Sequence, residues 1–297
     1  MSLHDLEKRG IVKRDHPLAG MTTYKFGGRA DWYAEVETLN DLVEVTGAGV
    51  PFATLGRGSN MVVADGGYRG VVVKLAGEFS EVTFDGDEVV AGGAVSLPRL
   101  ARACAAADRG GLEWYVGIPG SVGGAIVMNA GGHGSDTAAW LIHARVFDPH
   151  TGRIRTETPE QLGLRYRHSE LTSTHVVLDA RFRTIARSRH EGEAIMREIT
   201  AWRKEHQPGG TFNAGSVFKN PPGDAAGRII DAAGLKGLRV GGVSVSERHA
   251  NFFVADEDAC AQDVFDLVQT VQRAVVESTG ITLEPEIRFV GDFGAST

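Results

Sequence analysis

Between Gly117 and Gly134 the chain sets seven glycines among aliphatic residues, as Gly117-Ile-Pro-Gly-Ser-Val-Gly-Gly-Ala125 running on through Asn129 to Gly131, Gly132 and Gly134. Glycine admits positive φ and lets a ligand or a second backbone come close. Consecutive N–H groups in such a stretch can cradle an anion, most often phosphate. Pro119 stiffens the turn and removes one donor. Ile118, Val122, Ala125, Ile126, Val127 and Met128 make the stretch too apolar for a linker. It reads as a buried loop against a large anionic ligand. Spacing alone leaves a tight core turn equally open.

A second glycine stretch, Gly56-Arg-Gly-Ser-Asn60, lies between the apolar runs Phe52–Leu55 and Met61–Val63. Strand, glycine loop, strand is the expected order, with an ordinary hairpin turn as the competing reading. Ser59 and Asn60 add side-chain donors. Neither stretch is a G-x-G-x-x-G opening a helix, and no G-x-x-x-x-G-K-[ST] occurs, so Rossmann and P-loop sites are not supported.

A chain of 297 residues, 42% hydrophobic and 23% charged, suits one large or two ordinary globular domains. The net charge of -7 argues against nucleic-acid binding, and an anionic ligand then needs local arginines and lysines. Cys104 and Cys260 form no C-x-x-C, so neither a disulfide framework nor a metal site is expected. The acids at the N-terminus and the lack of a long apolar run point to a cytoplasmic chain without a membrane span.

Residues 1–20 are polar and predict an arm. Thr38 is placed to cap a helix over 39–46. Asp85-Gly86 predicts a hairpin between 81–84 and 88–91. Ser96 opens a helix over 97–107. A second hairpin turns at 148–151, and 176–185 alternates as a strand. Residues 188–206 show helical periodicity through Ile195, Met196, Ile199 and Trp202. Helices over 224–234 and 259–278 follow, the second capped by Asp256–Asp258 and closed by Gly280. A last strand is expected over 283–290.

Several polar clusters could carry chemistry. Asn213-Ala-Gly-Ser-Val-Phe-Lys-Asn220 places Ser216 three residues before Lys219, formally the S-x-x-K of acyl transferases. No K-T-G or S-D-N accompanies it, and a polar turn is the competing reading. Tyr166-Arg-His-Ser169 has Arg165 and Arg167 close by, a fork suited to a carboxylate or pyrophosphate, or else an exposed basic loop. Leu283-Glu-Pro-Glu-Ile-Arg288 sets Glu284 and Glu286 on one strand face. Paired acids there are commonly solvated. Lys236, Asn251, His249 and His133 read from the residues alone as loop positions.

Gly56–Asn60 together with Ile118–Ala125 resembles the FAD-binding domain of the p-cresol methylhydroxylase/vanillyl-alcohol oxidase type. Within that group the chain resembles the UDP-N-acetylenolpyruvoylglucosamine reductase family over nearly its whole length, including the opening segment Thr22–Gly28. The resemblance implies an α+β fold. Residues 1–187 would form the FAD-binding domain in two subdomains, the first about 1–75. Residues 188–297 would form a smaller α+β substrate-binding domain. It implies non-covalent FAD held by Gly56, Arg57, Gly58, Ser59, Asn60, Ile118, Pro119, Gly120, Ser121, Gly123, Gly124, Ala125 and Asn129. NADPH is the implied co-substrate, and the substrate is UDP-N-acetylglucosamine enolpyruvate, reduced to UDP-N-acetylmuramate for peptidoglycan, with the cell-shape and cell-division roles that follow. Tyr166, Arg167, Lys219, Asn220, Lys236 and Asn251 are the implied substrate contacts. Ser216 is the implied proton donor, with Arg167 and Glu286, rather than Glu284, as catalytic partners. No metal, nucleic acid or membrane partner is implied, and a monomer is expected. Longer members carry a tyrosine loop that closes over substrate. No tyrosine falls between Arg183 and Ser216, so the chain resembles the shorter class. The alternatives are a same-fold FAD oxidase of small alcohols, an acyl transferase at Ser216, and a flavin-binding module without activity.

Overall fold

The computed structural model describes residues 2–294. Residues 1–20 depart from the expected arm, because they form helix α1 (Leu3–Lys8) and strand β1 (Val12–Pro17). Ser2 and Asp5 build a reciprocal capping box, and Leu3 and Leu6 are buried. Strand β2 (Arg29–Val36) follows. Helix α2 (Leu39–Thr46) starts where Thr38 accepts the Asp41 N–H at 3.2 Å. Next come β3 (Phe52–Thr54), β4 (Met61–Val63) and β5 (Tyr68–Leu75). A four-stranded sheet has the order β1-β2-β5-β3. β3 runs parallel to β5, so Gly56–Asn60 is a loop leaving a parallel strand and not a hairpin turn.

β6 (Val82–Asp85) and β7 (Glu88–Gly92) form the expected hairpin, with Gly86 at φ +58°. Helix α3 (Leu97–Ala106) and strand β8 (Arg109–Gly110) lead into the glycine stretch. The middle of that stretch, seven residues, is helix α4 (Val122–Met128) rather than loop. Ser121 accepts the Gly124 N–H and starts it. The short strands β9 (Gly131–Gly132) and β10 (Ser135–Asp136) precede β11 (Leu141–Asp148), β12 (Arg153–Glu157), β13 (Val176–Arg183) and β14 (Ile185–Ala186). A five-stranded antiparallel sheet has the order β12-β11-β13-β7-β6. One core joins Val89, Val146 and Phe182 of this sheet to Leu97, Leu100, Val122 and Ile126 of α3 and α4. Another core sets Phe147, Val176 and Leu178 with Leu42, Val71 and Val73.

Helix α5 (Arg189–His206) buries Met196 and Ile199. Helix α6 (Ala226–Ala232), strands β15 (Arg239–Val240), β16 (Val243–Val245) and β17 (Phe253–Ala255), helix α7 (Ala261–Thr279) and strand β18 (Arg288–Val290) complete the chain. Val264, Leu267, Val268, Val271 and Val275 make one buried stripe on α7. Each such side chain contributes about 1.5–3 kcal/mol on full burial. They pack with Ile229, Ile230 and Phe253. The N-terminus of α7 is capped by Asp263 and by Asp65, whose carboxylate accepts the Ala261 and Gln262 N–H groups, and not by Asp256–Asp258. β18 is shorter than the expected strand because Pro285 offers no N–H and 283–286 pairs only as an isolated bridge.

The chain divides into two compact units. The first is Met1–Arg14, Trp32–Arg57 and Gly70–Trp202; the second is Asp15–Asp31, Gly58–Arg69 and Arg203–Thr297. Among the described residues no helix is long and apolar enough to cross a membrane, and no group of three His, Cys, Asp or Glu side chains could hold a metal.

Candidate active site

In the first unit Gly56 approaches the longer glycine stretch. A Cβ on Gly56 would come within 2.6 Å of Ser121 Oγ. The expected run of free N–H groups is not where the glycines are densest. Val122 and Gly123 donate to the Val95 and Gly93 carbonyls at 2.9 Å, and Gly124 and Ala125 donate to Ser121. These glycines serve close packing of backbone on backbone. The other loop differs: among the described residues none accepts from the N–H groups of Arg57, Gly58 or Ser59. Gly58 has φ +63°, and a Cβ there would strike the Met21 carbonyl. Such a cradle, with N–H groups left over, fits a pyrophosphate-bearing cofactor such as FAD.

The turn Arg165–His168 closes with two backbone bonds of 3.2 and 3.0 Å. Arg165 pairs with Glu170 at 3.0 Å, so the expected fork of two arginines reduces to Arg167. Arg167 sits at φ +51°, a strained position for a branched-free cation, and its Nη2 donates to the Gly131 carbonyl at 2.8 Å. Tyr166 is half exposed, with its ring 5.1 Å from the Arg167 guanidinium. Asn129 caps α4 in the left-handed region and is 1% exposed. Its amide bonds to Asp136, the Arg165 carbonyl and the Ala138 N–H. His133 lies edge-on to Trp202 at 5.2 Å.

Glu113 escaped the sequence reading. It is 5% exposed, bound by Arg187 Nη1 at 2.7 Å and by the Gly111 N–H at 2.8 Å. The signal was there: one acid inside the apolar run Leu112–Val116 needs a buried partner. Burial, with help from Glu113, pushes the Cys104 thiol up to about 12, so it stays protonated.

In the second unit two distant segments lie side by side. The Glu286 N–H donates to the Val217 carbonyl at 2.7 Å, and Lys219 N–H to the Glu284 carbonyl at 2.9 Å. Lys219 Nζ is 2.5 Å from Glu284 Oε1. Asn60 Nδ2 donates to the Glu286 carbonyl at 3.1 Å, and Arg288 N–H to the Asn60 carbonyl at 2.9 Å. Ser216 is half-buried, and among the described residues none hydrogen-bonds to its hydroxyl. Asn251 is buried and clasps Phe218, accepting its N–H at 2.9 Å and donating to its carbonyl at 2.8 Å. Asn220 Oδ1 accepts the Ala226 N–H and so starts α6. Lys236 pairs with Asp231 at 2.7 Å. Burial, then the Lys236 charge, holds the His249 imidazole below its ordinary value.

The α+β scaffold with its glycine-lined cradle is that of an FAD-binding protein: the family model described as "FAD binding domain" matches residues 32–157. The model described as "UDP-N-acetylenolpyruvoylglucosamine reductase, C-terminal domain" matches residues 207–290. The chain is 42% identical over 287 residues to UDP-N-acetylenolpyruvoylglucosamine reductase 2 of Symbiobacterium thermophilum, covering 95% of this chain and 93% of that one. It is 39% identical over 288 residues to the reductase of Bacillus velezensis, covering 95% of each. The crystal structure of the Thermus caldophilus reductase superposes with a TM-score of 0.83 at 40% identity, covering 94% of this chain and 99% of that one. The chain belongs to the UDP-N-acetylenolpyruvoylglucosamine reductase family.

Proposed function

We propose that this chain reduces UDP-N-acetylglucosamine enolpyruvate to UDP-N-acetylmuramate with NADPH and bound FAD, in the cytoplasm and as a monomer, for peptidoglycan synthesis. The carrying observation is the pairing of 217–219 with 284–286, which sets Ser216, the residue before Val217, and Glu286 on adjoining segments in a chain of this family. The functional division follows the sequence reading, with cofactor binding in 1–187 and substrate binding in 188–297.

Gly56–Asn60 and Ile118–Ala125 hold FAD in this reading, and the Gly56–Ser121 approach keeps the two loops in register. FAD, when bound, supplies the hydride that NADPH provides and that the vinyl CH2 carbon of the enol ether receives. The π bond of the C=C breaks, the terminal carbon becomes methyl, and that electron pair is left on the carbon beside the carboxylate. That pair delocalises into the carboxylate, and a dianion there needs fixed positive charge. Arg167 supplies it. Its pinned backbone and its bond to Gly131 remove the freedom a surface arginine would have. Glu286, in its protonated form, donates a hydrogen bond to the same carboxylate, as a neutral acid can in an apolar site. Ser216 gives its proton to the carbanion carbon. Among the described residues none hydrogen-bonds to its hydroxyl, so no such bond has to break first. Lys219, held by Glu284, or a bound water stabilises the alkoxide until solvent reprotonates it. Tyr166, Asn220 and Lys236 complete the substrate contacts in this reading, while the Asn251 amide is taken up by Phe218 and acts by holding the Ser216 segment.

The testing experiment separates the two half-reactions. NADPH under nitrogen should bleach the flavin, and the enolpyruvyl nucleotide should restore the colour faster than oxygen does. Rapid reoxidation by oxygen with no response to the nucleotide would favour an oxidase of small alcohols.

A further inference from the structure

We infer that Asn129 is a positioning residue for Arg167 and not a cofactor contact. The inference rests on the reading of Arg167 as the group that answers the developing charge. Asn129 ends α4, whose first residue follows Ser121 of the FAD loop. Seven helical residues span about 10 Å. At the far end Asn129 adopts φ +38° and ψ +60°, which asparagine tolerates better than most residues. Its side chain is then aimed back into the protein. Nδ2 donates to the Arg165 carbonyl at 3.1 Å and to Asp136 Oδ2 at 3.2 Å, while Oδ1 accepts the Ala138 N–H at 2.9 Å. Every hydrogen of the amide and one oxygen lone pair are thereby engaged.

Two further bonds tie the same turn to the same helix end. Ser169 Oγ donates to the Val127 carbonyl at 2.7 Å, and Arg167 Nη2 to the Gly131 carbonyl at 2.8 Å. Asn129 is the one of the three that grips the backbone immediately before Tyr166-Arg167. Arg167 is held at positive φ, a conformation that persists only when its surroundings over-determine it. Loss of the Asn129 amide releases the turn while leaving Ser121 and the glycine loop untouched. The helix that carries the cofactor loop thus also sets where the cation stands.

The test is Asn129→Gly, because glycine accepts the same φ and removes only the side-chain bonds. In the FAD-loaded protein, hydrogen exchange of residues 162–171 should quicken by about threefold to tenfold, the worth of a lost hydrogen bond. FAD affinity, read by flavin fluorescence, should change by less than that. Reoxidation by the enolpyruvyl nucleotide should slow by about 10–100-fold, as small misplacements do, with bleaching by NADPH little altered. Should Asn129→Gly not fold, Asn129→Asp combined with Asp136→Asn restores one bond by swapping donor and acceptor but leaves Arg165 ungripped, and the same split is expected. A weakened FAD complex, unchanged exchange at 162–171, or equal slowing of both half-reactions overturns the inference. Arg167→Lys, run alongside, separates the two failures. If Arg167→Lys slows reoxidation selectively and Asn129→Gly does not, the positioning role alone is wrong. If Arg167→Lys shows no selectivity, the reading of Arg167 falls and the inference with it.

Discussion

The backbone N–H of Glu286 donates to the carbonyl of Val217 at 2.7 Å. That bond brings the C-terminal acid segment beside the residue that follows Ser216, although the two are far apart in sequence. Asn251 keeps the Ser216 side in place by clasping Phe218, and Asn60 keeps the Glu286 side in place through the Glu286 carbonyl. An asparagine buried with both amide groups paired rigidifies a loop at little cost, because nothing polar is left unsatisfied.

Gly56→Ala is expected to weaken FAD binding. The new Cβ would meet Ser121 Oγ at 2.6 Å, and that hydroxyl caps α4 through Gly124. Losing such a cap costs about 1 kcal/mol, equivalent to about fivefold in affinity. Gly132→Ala is the control, since nothing lies within 4 Å of its Cβ position. Titrating flavin-free protein with FAD by fluorescence decides it. Equal affinities for the two variants would remove the case for the Gly56–Ser121 approach.

Arg167→Lys keeps the charge and loses the planar fork. Reoxidation of the flavin by the enolpyruvyl nucleotide should slow by about 10²-fold, the usual loss when a charge-stabilising donor goes. Bleaching by NADPH should slow far less. Stopped-flow absorbance at the flavin band measures both. Equal slowing would make Arg167 a structural residue.

His249 should make stability pH-dependent in a known direction. Burial first, and the Lys236 charge second, depress the folded-state value below the ordinary 6.5. The unfolded chain therefore binds the proton more readily, and stability is lost as pH falls below about 6.5. Melting curves from pH 8 down to pH 5.5 should fall more steeply for the wild type than for His249→Gln. Parallel curves would show that His249 does not titrate against folding.

Local signals were legible in the sequence where they act within a few residues. Thr38 caps α2, Gly86 turns a hairpin, and Gly280 ends α7 at φ +73°. The motifs were legible as patterns, because glycine spacing and S-x-x-K need no tertiary information. What stayed hidden depends on partners far along the chain. The α7 cap comes from Asp65, and the Asn251 amide is committed to Phe218. Helix α4 was hidden for another reason. Gly123 and Gly124 each disfavour helix by about 1 kcal/mol, and burial of Val122, Ala125 and Ile126 overrides them. The N-terminal helix was missed because its charges outnumber the two leucines that anchor it.

Ser216→Ala tests the account most directly. The variant should bind FAD and be bleached by NADPH at near the wild-type rate, because neither step uses the hydroxyl. Rapid mixing of the reduced variant with the enolpyruvyl nucleotide should then show reoxidation slowed by about 10²–10⁴-fold, the usual loss of a positioned proton donor. Ser216→Cys should recover part of it. Reoxidation of Ser216→Ala within about tenfold of wild type, short of the range for a general acid, would contradict the account and point to Lys219 or a bound water as the proton source.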